Sequence, residues 1–293
     1  MKKTFSTSEI IHKIFPYLLL APALIYLGAF IGYPLIQASL LAFKNPDTGR
    51  FSLVVFKTLA KDSYFHDALL YTFLLAAVII PIQVAIAILV ALFLSREFKG
   101  RDAVLYIFSI PLAISDIAAG LIWYNIFASS GYLNKLLLKL GIITKPIEFF
   151  GYAYRSREFL TIVVTEVWRA TAIVFIIIFA GMQLISKDYL EAAEVCGASG
   201  WQKFRYIIFP LLKPSLQAAL IIRTIFALQV FATVWVLAGR DIPVLAGEAY
   251  YQLAEVKNPN IASAYALIIT ALSILLGIMY LKLFKPEYLE VEK

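Results

Sequence analysis

Six apolar runs, each long enough to cross a bilayer as a helix, constrain this chain more than any other feature. They cover approximately 16–43, 69–94, 104–128, 159–183, 214–238 and 262–284. About 20 apolar residues in helical form span roughly 30 Å of hydrocarbon. There the backbone must satisfy its own hydrogen bonds, so only helices or closed barrels are viable. Barrel strands would be about 10 residues long and alternate polar with apolar. These runs are longer and continuous. The expected fold is all-α: a polytopic membrane domain over residues 1–293 with about six transmembrane helices.

Composition agrees. Hydrophobic residues make up 61% of the chain and charged residues 15%, against about 45–50% and 25% in soluble domains. The net charge of +7 raises a nucleic-acid partner, but the basic residues sit in short loops between apolar runs. They form no stripe, and anionic headgroups account for them, so membrane lipid is expected and nucleic acid is not. Cys196 is the sole cysteine, which excludes an internal disulfide. The first run is too long for the core of a secretion signal and lacks a small-residue cleavage site, so it is expected to stay as an anchor. Lys and Arg density favours an inside N-terminus only slightly.

Residues 184–213 are too polar to span, yet they are ordered in type. Glu191, Ala192 and Ala193 suit the start of a short helix, where the helix dipole welcomes negative charge. Gly197 can end it with positive φ. A second short helix would carry Trp201, Phe204 and Ile208 on one side and stop at Pro210 and Pro214. Two readings are open: a plug for a socket on another protein, or an amphipathic loop lying among headgroups.

Glu191-Ala192-Ala193, then Gly197-Ala198 after three residues, then Phe204, Ile207, Pro210 and Pro214 resemble the EAA loop of ABC importer permeases. Elsewhere the chain is similar to the first permease subunit of maltose-type sugar importers. Ala21-Pro22-Ala23 with Tyr33-Pro34, Pro111 with Gly120 and Trp123, Gly131-Leu133-Asn134, and Glu166-Val167-Trp168 carry that likeness. It departs at Cys196, where relatives commonly have Asp, at Gln229 and Ala232 in the fifth span, and in a degenerate Gly239-Arg240-Asp241-Ile242-Pro243. The resemblance implies a second homologous permease, two cytoplasmic ATPase subunits and an extracytoplasmic solute-binding protein. It also implies cytoplasmic N- and C-termini in a multi-pass protein of a prokaryotic cell membrane. Residues 184–213 would then be the coupling loop, with Glu191, Ala192, Ala193, Gly197, Ala198, Trp201, Phe204, Ile207 and Pro210 meeting the ATPase. ATP and Mg would be bound by the partner, since this chain has no phosphate-cradling G-x-x-x-x-G-K-[ST] loop.

No cofactor, metal or catalytic residue is expected here. His12 and His66 are the only histidines, without metal-ligand spacing. Polar groups inside apolar runs are costly, by about 2.5–3.5 kcal/mol on insertion scales, so they carry information. Asp116 falls near the middle of the third run, with Gly120 and Trp123 on the same helical face. That suits a carboxylate accepting sugar hydroxyls beside a stacking indole, or a structural Asp paired with Arg169 or Arg223. Phe226, Gln229 and Thr233 form a polar stripe in the fifth run, for pathway lining or for interhelical hydrogen bonds. Arg223 reads as a packing or gating ion pair. Glu166 and Arg169, one turn apart, could neutralise each other.

A neutral mono- or oligosaccharide is the expected cargo, moved by alternating access. The competing classes are a permease of the same kind for glycerol phosphate or a peptide, an ion-coupled secondary transporter, and a membrane-embedded enzyme. The secondary transporter leaves 184–213 without a purpose, and the enzyme lacks a reactive constellation.

Overall fold

The structure, a computed structural model, describes residues 7–283. The expected cytoplasmic ends, 1–6 and 284–293, lie outside the described residues. The described chain is helical with short connections, and its one β contact is an isolated bridge between Lys44 and Phe51. The first span runs through α1 (Thr7–Leu27), a π turn (Gly28–Gly32) and α2 (Tyr33–Ala42). The wide turn sits where the Pro34 ring would meet the carbonyl four residues back. Of the described side chains on α2 only Ala42 is buried.

After the short α3 (Val54–Leu59), α4 (Ser63–Leu94) starts at Asp62, whose carboxylate accepts from the Tyr64 amide at 3.0 Å. Its buried residues include Ala68, Thr72, Leu75, Ile79, Gln83, Ala87, Ala91 and Leu94. Spacings of three and four put these on one stripe. That stripe packs against α8 (Arg155–Gln183), which in turn packs on α11 (Phe209–Leu228).

Two apolar clusters hold these three helices together. One joins Ala87, Ala91 and Leu94 of α4 to Val174, Phe175 and Ile178 of α8 and Leu212 and Leu216 of α11. The other joins Leu75 and Ile79 to Ile162 and Val163, and adds Val230, Val234 and Leu237. Between the clusters each helix contributes one buried charged or amide side chain: Gln83, Glu166 and Arg223. A polar layer thus lies between two of the apolar clusters of the core.

The third and fifth runs are not the continuous helices expected. The third is α5 (Arg101–Ser109), a 3-10 turn (Ile110–Ala113) and α6 (Asp116–Phe127), with the halves bent by 104°. Pro111 supplies no amide N–H to continue α5, and the extended Ser115 caps α6 by accepting from the Ala118 amide at 3.3 Å. The fifth breaks after α11, at Gln229–Phe231, and resumes as α12 (Ala232–Ala238).

The C-terminal half of the third span leads into α7 (Tyr132–Lys139). The polar segment holds α9 (Lys187–Val195) and α10 (Gly200–Lys203), and the chain closes with α13 (Leu245–Ala254) and α14 (Pro259–Leu283). The expected stop at Pro210 and Pro214 is also corrected. A π turn (Phe204–Ile208) absorbs the proline clash and carries α10 straight into α11, with Pro210 in its first turn, where no amide is needed. The polar loop therefore ends near Ser199, and the helix that leads into the fifth span begins at Gly200.

Gly181 sets the α8–α11 distance. A Cβ there would lie 2.5 Å from the Ser215 Cβ. Gly181→Ala should therefore destabilise the bundle by about 1–3 kcal/mol, seen as a lower melting temperature in detergent, and Ser215→Gly should restore part of it. An unchanged melting temperature would mean that the helices part freely.

Candidate functional site

Both helix breaks open onto one cavity of about 350 Å³. The third-span break contributes Leu112 and Asp116, α8 contributes Arg169, Ala170 and Ile173, and α11 with its end contributes Arg223, Phe226, Gln229 and Val230. Irregular backbone at membrane depth is tolerated where protein buries it or where it lines a water-filled cavity. Two interrupted helices meeting at one cavity are also how transporters commonly build a binding site.

Behind the cavity lies the polar layer. Arg223, 2% exposed, donates from Nε to Gln83 Oε1 at 2.6 Å and from a terminal nitrogen to Glu166 Oε2 at 3.0 Å. Gln83 Nε2 donates to the Glu166 carbonyl at 2.7 Å, and the Thr233 hydroxyl donates to Glu166 Oε1 at 2.8 Å. Glu166 is therefore satisfied chiefly by α11 and α12. Its contact with Arg169 is long, at 3.3 Å. Arg169 instead pairs with Asp116 at 2.8 Å, at the mouth of the layer, where the Asp116 side chain is 48% exposed.

The structure brings together only part of the expected pathway set. Asp116, Phe226 and Gln229 line the cavity. Trp123 and Thr233 do not. Asp116, Gly120 and Trp123 do share one face of α6, but below Asp116 that face packs on protein. A Cβ at Gly120 would stand 3.0 Å from Val236 of α12, and Trp123 stacks on Phe127 and meets Trp168 edge-on. The Phe226–Gln229–Thr233 stripe assumed an unbroken helix. The break after Gln229 turns Thr233 back onto Glu166. Asp116, though near the middle of the third run, is likewise not the middle of one helix but the first residue of α6. Gln83 was not singled out from sequence, although a lone amide in the long apolar run of α4 was the available signal.

The second feature is the turn between α9 and α10. The Gly197 amide donates to the Glu194 carbonyl and the Ala198 amide to the Ala193 carbonyl, both at 2.9 Å, with φ +75° at Gly197. This is a Schellman close, and it uses the glycine where L side chains strain. Ser199 then opens α10 with a capping box to Gln202, and Lys203 pairs with Glu194 across the turn. Glu191, Ala192, Gly197 and Trp201 are exposed, while Ala193, Ala198, Phe204, Ile207 and Pro210 are half-buried. Trp201, 67% exposed, packs on Phe204, and Ala192, Ile207 and Pro210 line a shallow apolar groove beside it.

Residues 65–285 match the family described as binding-protein-dependent transport system inner membrane component. The chain belongs to that family. This permease is 28% identical to the trehalose transport system permease protein SugA of Mycobacterium tuberculosis over 94% of its own length and 91% of that protein. It is 34% identical to the trehalose/maltose transport system permease protein MalF of Thermococcus litoralis over 69% of each chain. It shares the fold of a chain of a bacterial ABC transporter involved in import of the acidic polysaccharide alginate, with TM-score 0.82, 22% identity and coverage of 94% and 96%. The chain is thus a multi-pass membrane permease of the ABC class.

At the end of the permease away from the α9–α10 turn, local struts fix the connections. Buried Asn134 donates to the Ala128 and Ile147 carbonyls at 3.1 and 2.9 Å and accepts from the Ile147 amide at 2.7 Å. Arg240 makes a bidentate pair with buried Glu248, both contacts 2.9 Å, between the rings of Tyr64 and Tyr251. Burial opposes charge on Arg240, but the Glu248 carboxylate outweighs it and holds the guanidinium above its ordinary value. Residues 239–261 contain α13, which buries Leu245, Gly247 and Glu248.

Proposed function

We propose that this permease is one of two homologous membrane subunits of an ATP-driven importer for a sugar. It works by alternating access, with ATP and Mg bound on cytoplasmic partner subunits and cargo delivered by an external binding protein. The observation that carries the reading is the α9–α10 turn: a stiff, doubly capped corner with Trp201 and Glu191 turned to the surroundings. A loop resting in headgroups has no need of a Schellman close and a capping box within four residues. A lever that transmits force does. The reading puts the turn and both termini in the cytoplasm. Glu191, Ala192, Ala193, Gly197, Ala198, Trp201, Phe204, Ile207 and Pro210 would seat in the ATPase, with Glu191 pairing with a donor there.

The cavity is the cargo's path on this subunit. Asp116 accepts hydrogen bonds from cargo hydroxyls, the Gln229 amide donates and accepts them, and Phe226 offers a ring to the apolar face of a pyranose. The sugar assignment also draws on the trehalose and maltose names of its relatives. A relative of similar identity is an sn-glycerol-3-phosphate permease from Agrobacterium fabrum, which makes a phosphorylated cargo the competing choice.

Cys196 lies exposed in the turn, so it reports on docking. In mild detergent it should react readily with a maleimide when the chain is alone. It should be protected at least tenfold when the chain is purified with its ATPase partners. Equal labelling in both states would remove the turn from the contact.

A further inference from the structure

The charges around the cavity cancel, and this bears on which cargo can pass. Three charged side chains line it: Asp116, Arg169 and Arg223. Arg169 is answered by Asp116 at 2.8 Å, and Arg223 by Glu166 at 3.0 Å, with Glu166 fully buried immediately behind the wall. The count is two guanidiniums against two carboxylates. The helix ends cancel as well, since α6 presents its N-terminus at Asp116 and α11 its C-terminus at Gln229, of opposite partial charge. No net charge on this wall is left over to hold a phosphate or an acidic sugar, and Arg169 Nε, which has no hydrogen-bond partner, is itself buried. Displacing Glu166 from Arg223 would strand a fully buried carboxylate in a low-dielectric site.

We propose that this charge balance selects an uncharged, hydroxyl-rich cargo, and that Asp116 is the residue that sets it. The proposal rests on the sugar-importer reading and narrows it to neutral sugars. Asp116 is the member suited to this role. Glu166 is locked by Arg223, Thr233 and the helix packing around it, whereas Asp116 is half exposed at a helix start and held by one partner. Removing its charge leaves Arg169 as a free cation facing the cavity, with only its long contact to Glu166 remaining.

The test measures the potential in the cavity and the cargo preference separately, on the full-length chain purified with its co-purifying subunits. With Cys196→Ser as background, Gln229→Cys places a single thiol at the cavity. It is reacted with an anionic (sulfonatoethyl) and a cationic (trimethylammonium-ethyl) methanethiosulfonate, each rate normalised to a free thiol in solution. The two normalised rates should agree within about threefold, and adding Asp116→Asn should shift the ratio toward the anionic reagent by roughly tenfold or more, as expected for one unit charge a few ångströms away. In parallel, equilibrium dialysis of the Cys196→Ser protein should show trehalose bound at least tenfold more tightly than trehalose 6-phosphate, with Asp116→Asn narrowing that gap. A ratio that already favours the anion tenfold, or one that Asp116→Asn does not move, overturns the charge balance. Preferred binding of the phosphate ester overturns the cargo inference. If neither sugar binds while the thiol rates behave as stated, the sugar reading fails and the neutral wall stands.

Discussion

Gly197→Pro should abolish uptake, with a loss of at least tenfold in transport and in cargo-stimulated ATP hydrolysis, while the protein still inserts and purifies. The glycine sits at φ +75° and its amide donates to the Glu194 carbonyl at 2.9 Å. Proline locks φ near −65° and has no amide proton. Both the direction of the turn and the hydrogen bond that closes α9 are then lost, and Trp201 leaves its place relative to Glu191. The transmembrane helices are untouched, because Gly197 is exposed and a Cβ there meets no other atom within 4 Å. Gly197→Ala should fall between, since alanine can hold the left-handed conformation at about 1–2 kcal/mol. The decisive comparison is uptake per molecule of inserted protein. Wild-type uptake by Gly197→Pro would end the coupling assignment.

Glu166→Ala should be the most destabilising single substitution in the polar layer, costing about 3–5 kcal/mol. Truncating it leaves the buried Arg223 guanidinium without its counter-charge, and breaking one side of a buried pair costs that much. The Thr233 hydroxyl loses its acceptor too. The measure is the melting temperature of purified protein in detergent, set against Glu97→Ala. Glu97 is 87% exposed, and its pair with Lys187 at 3.5 Å is of the surface kind worth about 0–1 kcal/mol. Glu166→Gln keeps an acceptor for Thr233 and should fall between the two. Glu166→Gln with Arg223→Met removes both charges together and should recover much of the loss. If Glu166→Ala melts no lower than the Glu97 control, water reaches Arg223 and the layer is not sealed.

The corner at Gly197 was legible in the sequence because its causes are local. Glu191-Ala192-Ala193 and a glycine after three residues suit a short helix and its close, and α9 closes at Gly197 as those residues dictate, while the Ser199–Gln202 capping box that opens α10 emerged with the structure. Helices α4, α8 and α14 follow equally from hydropathy, and Glu166 and Arg223 stand out as charged residues inside apolar runs, whereas Gln83 is recognised only once the helices are packed. The break after Gln229 has no such signature. Neither proline nor glycine lies at 226–231, and α12 is held in its new direction by Thr233 on Glu166, 67 positions away, and by Val236 against Gly120. The third-span break had Pro111 and Ser115 as local hints, but not its angle.

The sequence by itself determined that this chain lives in lipid, where its unbroken long helices lie, and where one of its corners closes. Those outcomes depend on the medium and on neighbours a few positions apart. Only the tertiary structure decided that Arg223 answers to Gln83 and Glu166, 140 and 57 positions distant, that Arg169 answers to Asp116, and that two broken helices share one cavity. In lipid a buried charge must find its partner on whichever helix packs beside it, and which helix that is depends on side-chain fit across the bundle, not on order along the chain.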